Sequence, residues 1–264
     1  LGANLWSGSG LDICNVRLSA LKENLDESLA LAADVILNPV FPEYELARLK
    51  KQRMAQIRQE KVRPFSMALR VFPQLLYGQD HAYSNPLTGS GTEASTMAMT
   101  REDLADFHNT WLQPSNSTLV VVGDITLEEL VPKLEKNFSR WNNTATPPVK
   151  NIKDVDHGSA SRVFLIDKPG SVQSVLIAGH LAPPTSNPDE IAIETMNTVL
   201  GGSFTSRLNM NLREDKHWSY GARSVFIDAK GQRMFFAYAP VQTDKTMESL
   251  VEINKEMREI LSDR

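Results

Sequence analysis

The residues with the most chemical potential lie in one stretch, Leu200-Gly201-Gly202-Ser203-Phe204-Thr205-Ser206-Arg207-Leu208, which continues through Leu212-Arg213-Glu214 to Trp218-Ser219-Tyr220. Arginine presents a planar fork of donors suited to a carbonyl or carboxylate, and a tyrosine phenol adds one more. The stretch is therefore equipped to hold something rather than to attack it. Local rules also supply a structural explanation. A left-handed helix end accounts for two glycines, solvent accounts for the arginines, and Tyr220 opens a strand. On local grounds alone that explanation is preferred.

Residues for metal or nucleophilic chemistry are scattered. His81, His108, His157, His180 and His217 are isolated, and no two stand three to five apart as a helical or turn-borne ligand pair would. There is no Gly-x-Ser-x-Gly elbow, and Cys14, the single cysteine, falls in an expected strand as a core or edge residue. Gly8-Ser9-Gly10 and Gly89-Ser90-Gly91 lack the helix context of a phosphate loop and read as turns. One cysteine permits neither an internal disulfide nor a cysteine zinc cluster.

Elements to position these residues alternate along the chain. Strands are expected at 3–9 and 11–21 around Gly8-Ser9-Gly10, then a helix to Leu37 entered through an Asn24/Glu27 capping box. Pro39 and Pro42 separate it from a charged helix running from Glu43 to about Val62. A helix over Ser66–Tyr77 closes at Gly78, and a Gly/Ser/Pro/Thr-rich loop covers 79–95. Thr100 with Asp103, and Thr126 with Glu129, cap two further helices, with a buried strand over 118–122 between them. Asn142–Lys150 is a polar, proline-containing linker. Beyond it come strands at 162–167 and 174–181, a helix ending at Gly201-Gly202, strands at 220–227 and 234–239, and a helix from Asp244 to Leu261.

The pattern is α+β or mixed-sheet α/β, repeated in two lobes. At 264 residues, with 41% hydrophobic and 23% charged residues, the chain has the length for about two domains and the composition to bury a core. A net charge of −4 offers no electrostatic case for nucleic acid. No apolar run reaches the roughly 18–20 residues of a membrane span. A start at Leu1 without a leader is expected for an excised piece or a processed chain.

Leu200-Gly201-Gly202-x-x-x-Ser206-Arg207-Leu208-x-x-x-Leu212-Arg213-Glu214 with Ser219-Tyr220 resembles the signature of the pitrilysin/insulinase family of zinc metallopeptidases. Asp167-Lys168-Pro169-Gly170-Ser171-x-Gln173 resembles the strand entry of one of that family's homologous domains. Asn38-Pro39-x-Phe41, Tyr77-Gly78-x-x-His81-x-Tyr83 and Val121-Val122-Gly123-Asp124 resemble the second half of the preceding domain. The resemblance covers nearly the whole chain, in the family's order.

The resemblance implies an α+β fold with two lobes of the family's duplicated metallohydrolase-like domain. Residues 1–143 would be the later part of a degenerate peptidase domain, 144–150 a linker, and 151–264 the opening part of the next domain. It also implies a peptide substrate held by Arg213 and Tyr220 and a partner half, in the same longer polypeptide or a separate subunit, that binds zinc through His-x-x-Glu-His and a later Glu. That motif is absent here, and the later Glu falls by position at Gln56, with Leu49 at an accompanying acidic position and Glu60 one turn on. A neutral amide is a poor zinc ligand. Neither a catalytic residue nor a metal ligand is therefore expected in this segment. The function implied is the non-catalytic half of a zinc metalloendopeptidase. Alternatives are a non-proteolytic structural subunit of a larger complex, or an active peptidase whose zinc motif precedes residue 1. The compartment is unknown, and the resemblance alone favours a bacterial periplasm or envelope.

Overall fold

The computed structural model describes residues 1–142, 146–156 and 160–261. Residues 143–145 of the expected linker, and His157, lie outside the described residues. Helices and antiparallel sheets make the fold α+β, as expected. Contacts divide the described chain into two compact units. The first combines Leu1–Met54 with Glu93–Asn151, and the second combines Ala55–Thr92 with the part from Ile152 onward.

In the first unit, β1 (Asn4–Ser9) and β2 (Cys14–Ser19) pair antiparallel, with Asn4 opposite Ser19 and Ser9 opposite Cys14. The turn is closed by the Gly10 N–H donating to the Ile13 carbonyl at 2.8 Å, so Gly8 and Ser9 belong to the strand. Cys14 is exposed. Helix α1 (Leu25–Leu37) turns Ser28, Ala32 and Ala33 inward. The expected capping box at its start does not form. The chain enters α1 through a 3-10 turn, and the Asn24 amide donates instead to the Leu1 carbonyl at 2.9 Å. A proline-containing break leads to α2 (Glu43–Glu60), and the division between the units falls within that helix.

Two later helices of this unit follow their local signals. α4 (Glu93–Ala98) lies in what reads as loop, but α5 (Arg101–Trp111) and α6 (Leu127–Phe138) both carry complete capping boxes, at Thr100/Asp103 and Thr126/Glu129. Each side chain satisfies an amide that the helix leaves orphaned. Lys133 of α6 pairs with Asp26 of α1 at 2.5 Å. The strand expected at 118–122 does not form. Its residues are exposed, Val122 at 94%, and among the described residues nothing pairs with them.

The second unit holds α3 (Pro64–Tyr77) and a sheet of three antiparallel strands, β3 (Gln173–Ala182), β4 (Arg223–Phe226) and β5 (Arg233–Gln242), with β5 central. Side chains alternate along β5 and are covered on both faces. Phe235, Ala237, Ala239 and Val241 enter one core with Leu200, Leu208, Leu212 and Ile253. Between them Phe236 and Tyr238 turn to α3, where Phe72 and Phe65 meet them at ring distances of 5.4 and 4.9 Å. Burying an aliphatic or aromatic side chain contributes about 1.5–3 kcal/mol, so this doubly covered strand is a main contributor to the unit's core. The other expected strand, 162–167, is irregular and exposed, with Leu165 at 93%.

Around that core stand α7 (Glu190–Asn197), which widens into a π-helical turn at Thr198–Gly202, then α8 (Arg207–Asn209), and finally α9 (Thr246–Glu259). The expected left-handed helix end at Gly201-Gly202 is not what the structure contains. Positive φ occurs at Gly2, Gly78, Gly89, Gly91 and Gly170 instead. Gly201 is required because a β-carbon there would run into the backbone nitrogen and hydroxyl of Ser224 on β4. Gly201→Ala should therefore cost about 1–3 kcal/mol through overpacking, read as a lower urea midpoint with an unchanged slope.

Candidate functional site

α8 sinks Leu208 and continues as wider π-helical turns over Met210–Asp215, where Leu212 is fully buried. The Lys216 N–H donates five residues back, to the Asn211 carbonyl, at 3.0 Å. Short π-helical insertions of this kind recur at functional sites. The chain then folds back on itself. The N–H groups of Trp218 and Ser219 both donate to the Leu212 carbonyl, at 3.0 and 3.3 Å, and the Gln242 N–H donates to the Trp218 carbonyl at 2.9 Å. Ser219 bridges to Val241 of β5, and its hydroxyl donates to the Pro240 carbonyl at 2.6 Å. The frame carrying Arg213 and Tyr220 is thus tied to the central strand.

Arg213 and Tyr220 themselves project from that frame. The Arg213 guanidinium lies 4.7 Å from the centre of the Phe204 ring and meets Glu214 at 3.2 Å, both charges being 40% exposed. An ion pair that open to water is worth about 0–1 kcal/mol and exchanges readily for another acceptor. Tyr220 is 87% exposed and makes no hydrogen bond among the described residues. Arg213 stands on the π-helical turns and Tyr220 beyond the point where the chain folds back, and no hydrogen bond joins them. Arg207, the other arginine of the stretch, has a different role. It binds Glu256 at 2.7 Å and Glu259 at 2.9 Å on α9, while the Asn211 amide donates to Glu252 and Glu256. Arg207 is an anchor. The acidic spacing of Glu252, Glu256 and Glu259 along one face of α9 was the available signal for it.

Gln56 and Glu60, at the positions where the resemblance would seek a zinc carboxylate, do not fit that metal. The Gln56 amide donates to Glu60 at 2.9 Å. The nearly buried Glu60 carboxylate also receives Arg70 at 2.7 Å, Ser90 at 2.6 Å and Thr88 at 3.0 Å. Its charge is already balanced by a guanidinium and its lone pairs are taken by four donors. Burial alone would raise the Glu60 pKa, but the hydrogen bonds from Ser90, Arg70, Thr88 and Gln56 outweigh it and hold the pKa below the ordinary glutamate value.

The four described histidines each approach a backbone carbonyl: His81 that of Lys153, His108 that of Ile36, His180 that of Leu181, and His217 that of Arg213. Among the described residues, no three His, Cys, Asp or Glu side chains gather as a metal-binding group.

The family described as peptidase M16 inactive domain matches residues 98–264. An uncharacterized zinc protease of Mycobacterium leprae is 26% identical over 239 residues, covering 88% of this chain and 52% of the relative. The zinc protease PqqE of Helicobacter pylori is 23% identical over 240 residues, covering 88% and 52%. The crystal structure of a peptidase M16 inactive domain from Pseudomonas fluorescens superposes with a TM-score of 0.89 at 25% identity, over 99% of this chain and 63% of that one. The chain spans about half the length of the curated relatives it matches.

The Glu60 network has two measurable consequences. Arg70→Met leaves a buried carboxylate without its counter-charge and should destabilise the fold by about 3 kcal/mol in urea unfolding. Because the folded Glu60 pKa is lowered, its contribution is present above the unfolded pKa and lost as pH falls through the folded one. Glu60→Gln should therefore flatten the stability loss between about pH 5 and pH 3 relative to the parent.

Proposed function

The chain belongs to the peptidase M16 family, the pitrilysin/insulinase zinc metallopeptidases, through that family's inactive domain, and from this we propose that it is the non-catalytic half of a zinc metalloendopeptidase, holding an extended peptide for a catalytic half. In this reading residues 1–143 are the later part of a degenerate peptidase domain, 144–150 a linker, and 151–264 the opening part of the next. The zinc-binding half is elsewhere in a longer polypeptide or in a separate subunit.

The observation that carries the reading is the pair Arg213 and Tyr220. Their neighbours Leu208 and Leu212 are buried, and Ser219 is bonded into the sheet, yet the guanidinium keeps only an exposed, exchangeable partner and the phenol keeps none among the described residues. Among the described residues the Tyr220 side chain makes no hydrogen bond, which is consistent with its serving a ligand. An arginine fork on the π-helical turns and a phenol on the returning chain suit a peptide carbonyl or a terminal carboxylate. Glu60, sealed by Arg70, supports a role in which this half contributes binding rather than metal chemistry.

In the complete protease containing this chain, Arg213→Ala and Tyr220→Phe should each lower kcat/KM on an unstructured fluorogenic peptide. Losing the charge-assisted hydrogen bond of Arg213, about 1.5–3 kcal/mol, corresponds to a roughly tenfold to hundredfold loss, and losing the phenol hydrogen bond of Tyr220, about 0.5–1.5 kcal/mol, to a roughly twofold to tenfold loss. Bound zinc, measured by atomic absorption, should not change. Full turnover in both variants would overturn the proposal.

A further inference from the structure

One buried amide bonds to backbone beside both arms of the proposed peptide clamp. Asn209 is 4% exposed and lies one helical turn before Arg213. Its Nδ2 donates to the Phe204 carbonyl at 2.6 Å, and its Oδ1 accepts the Ala222 N–H at 3.2 Å. The orientation of the amide is forced, because a carbonyl can only accept and a backbone N–H can only donate. Phe204 is the ring beneath the Arg213 guanidinium. Ala222, itself buried, is two residues beyond Tyr220. The side chain thus fixes the aromatic shelf of one clamp residue and the backbone exit of the other.

We propose that Asn209 is a positioning residue that sets Arg213 and Tyr220 in a common frame. The proposal rests on the peptide-holding role of those two residues. Few other side chains could replace Asn209. The site needs a donor and an acceptor at the end of a short side chain, and aspartate offers only acceptors. Asn209→Asp would keep the bond from Ala222 but set a carboxylate oxygen against the Phe204 carbonyl. The shelf under Arg213 would be released while the Tyr220 side stayed anchored.

The test is a double-mutant cycle on the complete protease, with kcat and KM measured on a fluorogenic peptide and thermal unfolding followed in parallel. Asn209→Asp should lower kcat/KM about tenfold to hundredfold, the scale expected when a binding group is misplaced by about an ångström. In an Arg213→Ala background the same substitution should have almost no further effect, because it acts through Arg213. A merely structural role would lower kcat/KM by the same factor in both backgrounds and would overturn the inference. If the aspartate variant does not fold, Asn209→Ser, which cannot span both partners, is compared in the parent and in an Arg213→Ala/Tyr220→Phe background, where it should have almost no further effect. Should Arg213→Ala and Tyr220→Phe be silent, the peptide-holding reading fails and this inference fails with it. If those two are impaired while both Asn209 variants match the parent, only the role of Asn209 is overturned.

Discussion

Leu212 places its side chain in the sheet core with no exposure and offers its carbonyl to two successive amides, those of Trp218 and Ser219. The first fixes the rotation of the helix, so the neighbouring Arg213 must face outward. The second bends the chain back, so that Ser219 can reach β5 and Tyr220 emerges beside it. Withdrawing Leu212 from the core would free the helix rotation and the return loop together. The wide π-helical turns suit this arrangement, because an extra residue per turn lets the helix stay buried while its carbonyl points at the returning chain.

Two networks of carboxylates with arginine use the same chemistry for different ends. Arg207, with two glutamates of α9, and Asn211, with a third, hold the helix that carries Arg213 against α9. At Glu60, one carboxylate is enclosed by Arg70 and three neutral donors. A group so fully satisfied is retained for order, because exposing or unpairing it costs more than the pair contributes. Where the resemblance would seek a zinc carboxylate, the chain holds this internal ion pair.

What could be read beforehand was what is decided locally. The capping boxes at Thr100 and Thr126 involve residues three apart, and both form as expected. Asn24 carried a similar signal, but the Leu1 carbonyl, distant in sequence, competed for its amide. Strands at 118–122 and 162–167 have the right composition, yet a strand exists only through a partner, and none is found among the described residues. Gly201 could be recognised as special but not why, since Ser224 reaches it only in the folded sheet. Arg213 and Tyr220 were legible only through the family pattern, whereas Phe204 and Asn209 needed the tertiary arrangement. Their contacts join residues whose spacing follows no helical or strand period.

The exposed segments 118–122 and 162–167 bear on how this chain behaves in isolation. Leu119, Val120 and Val122 are charge-free, branched and largely exposed, as are Val163 and Leu165. Backbone left unpaired beside such side chains is a template for intermolecular cross-strand association. A single lysine introduced between the apolar residues of either run should act as a gatekeeper against such association.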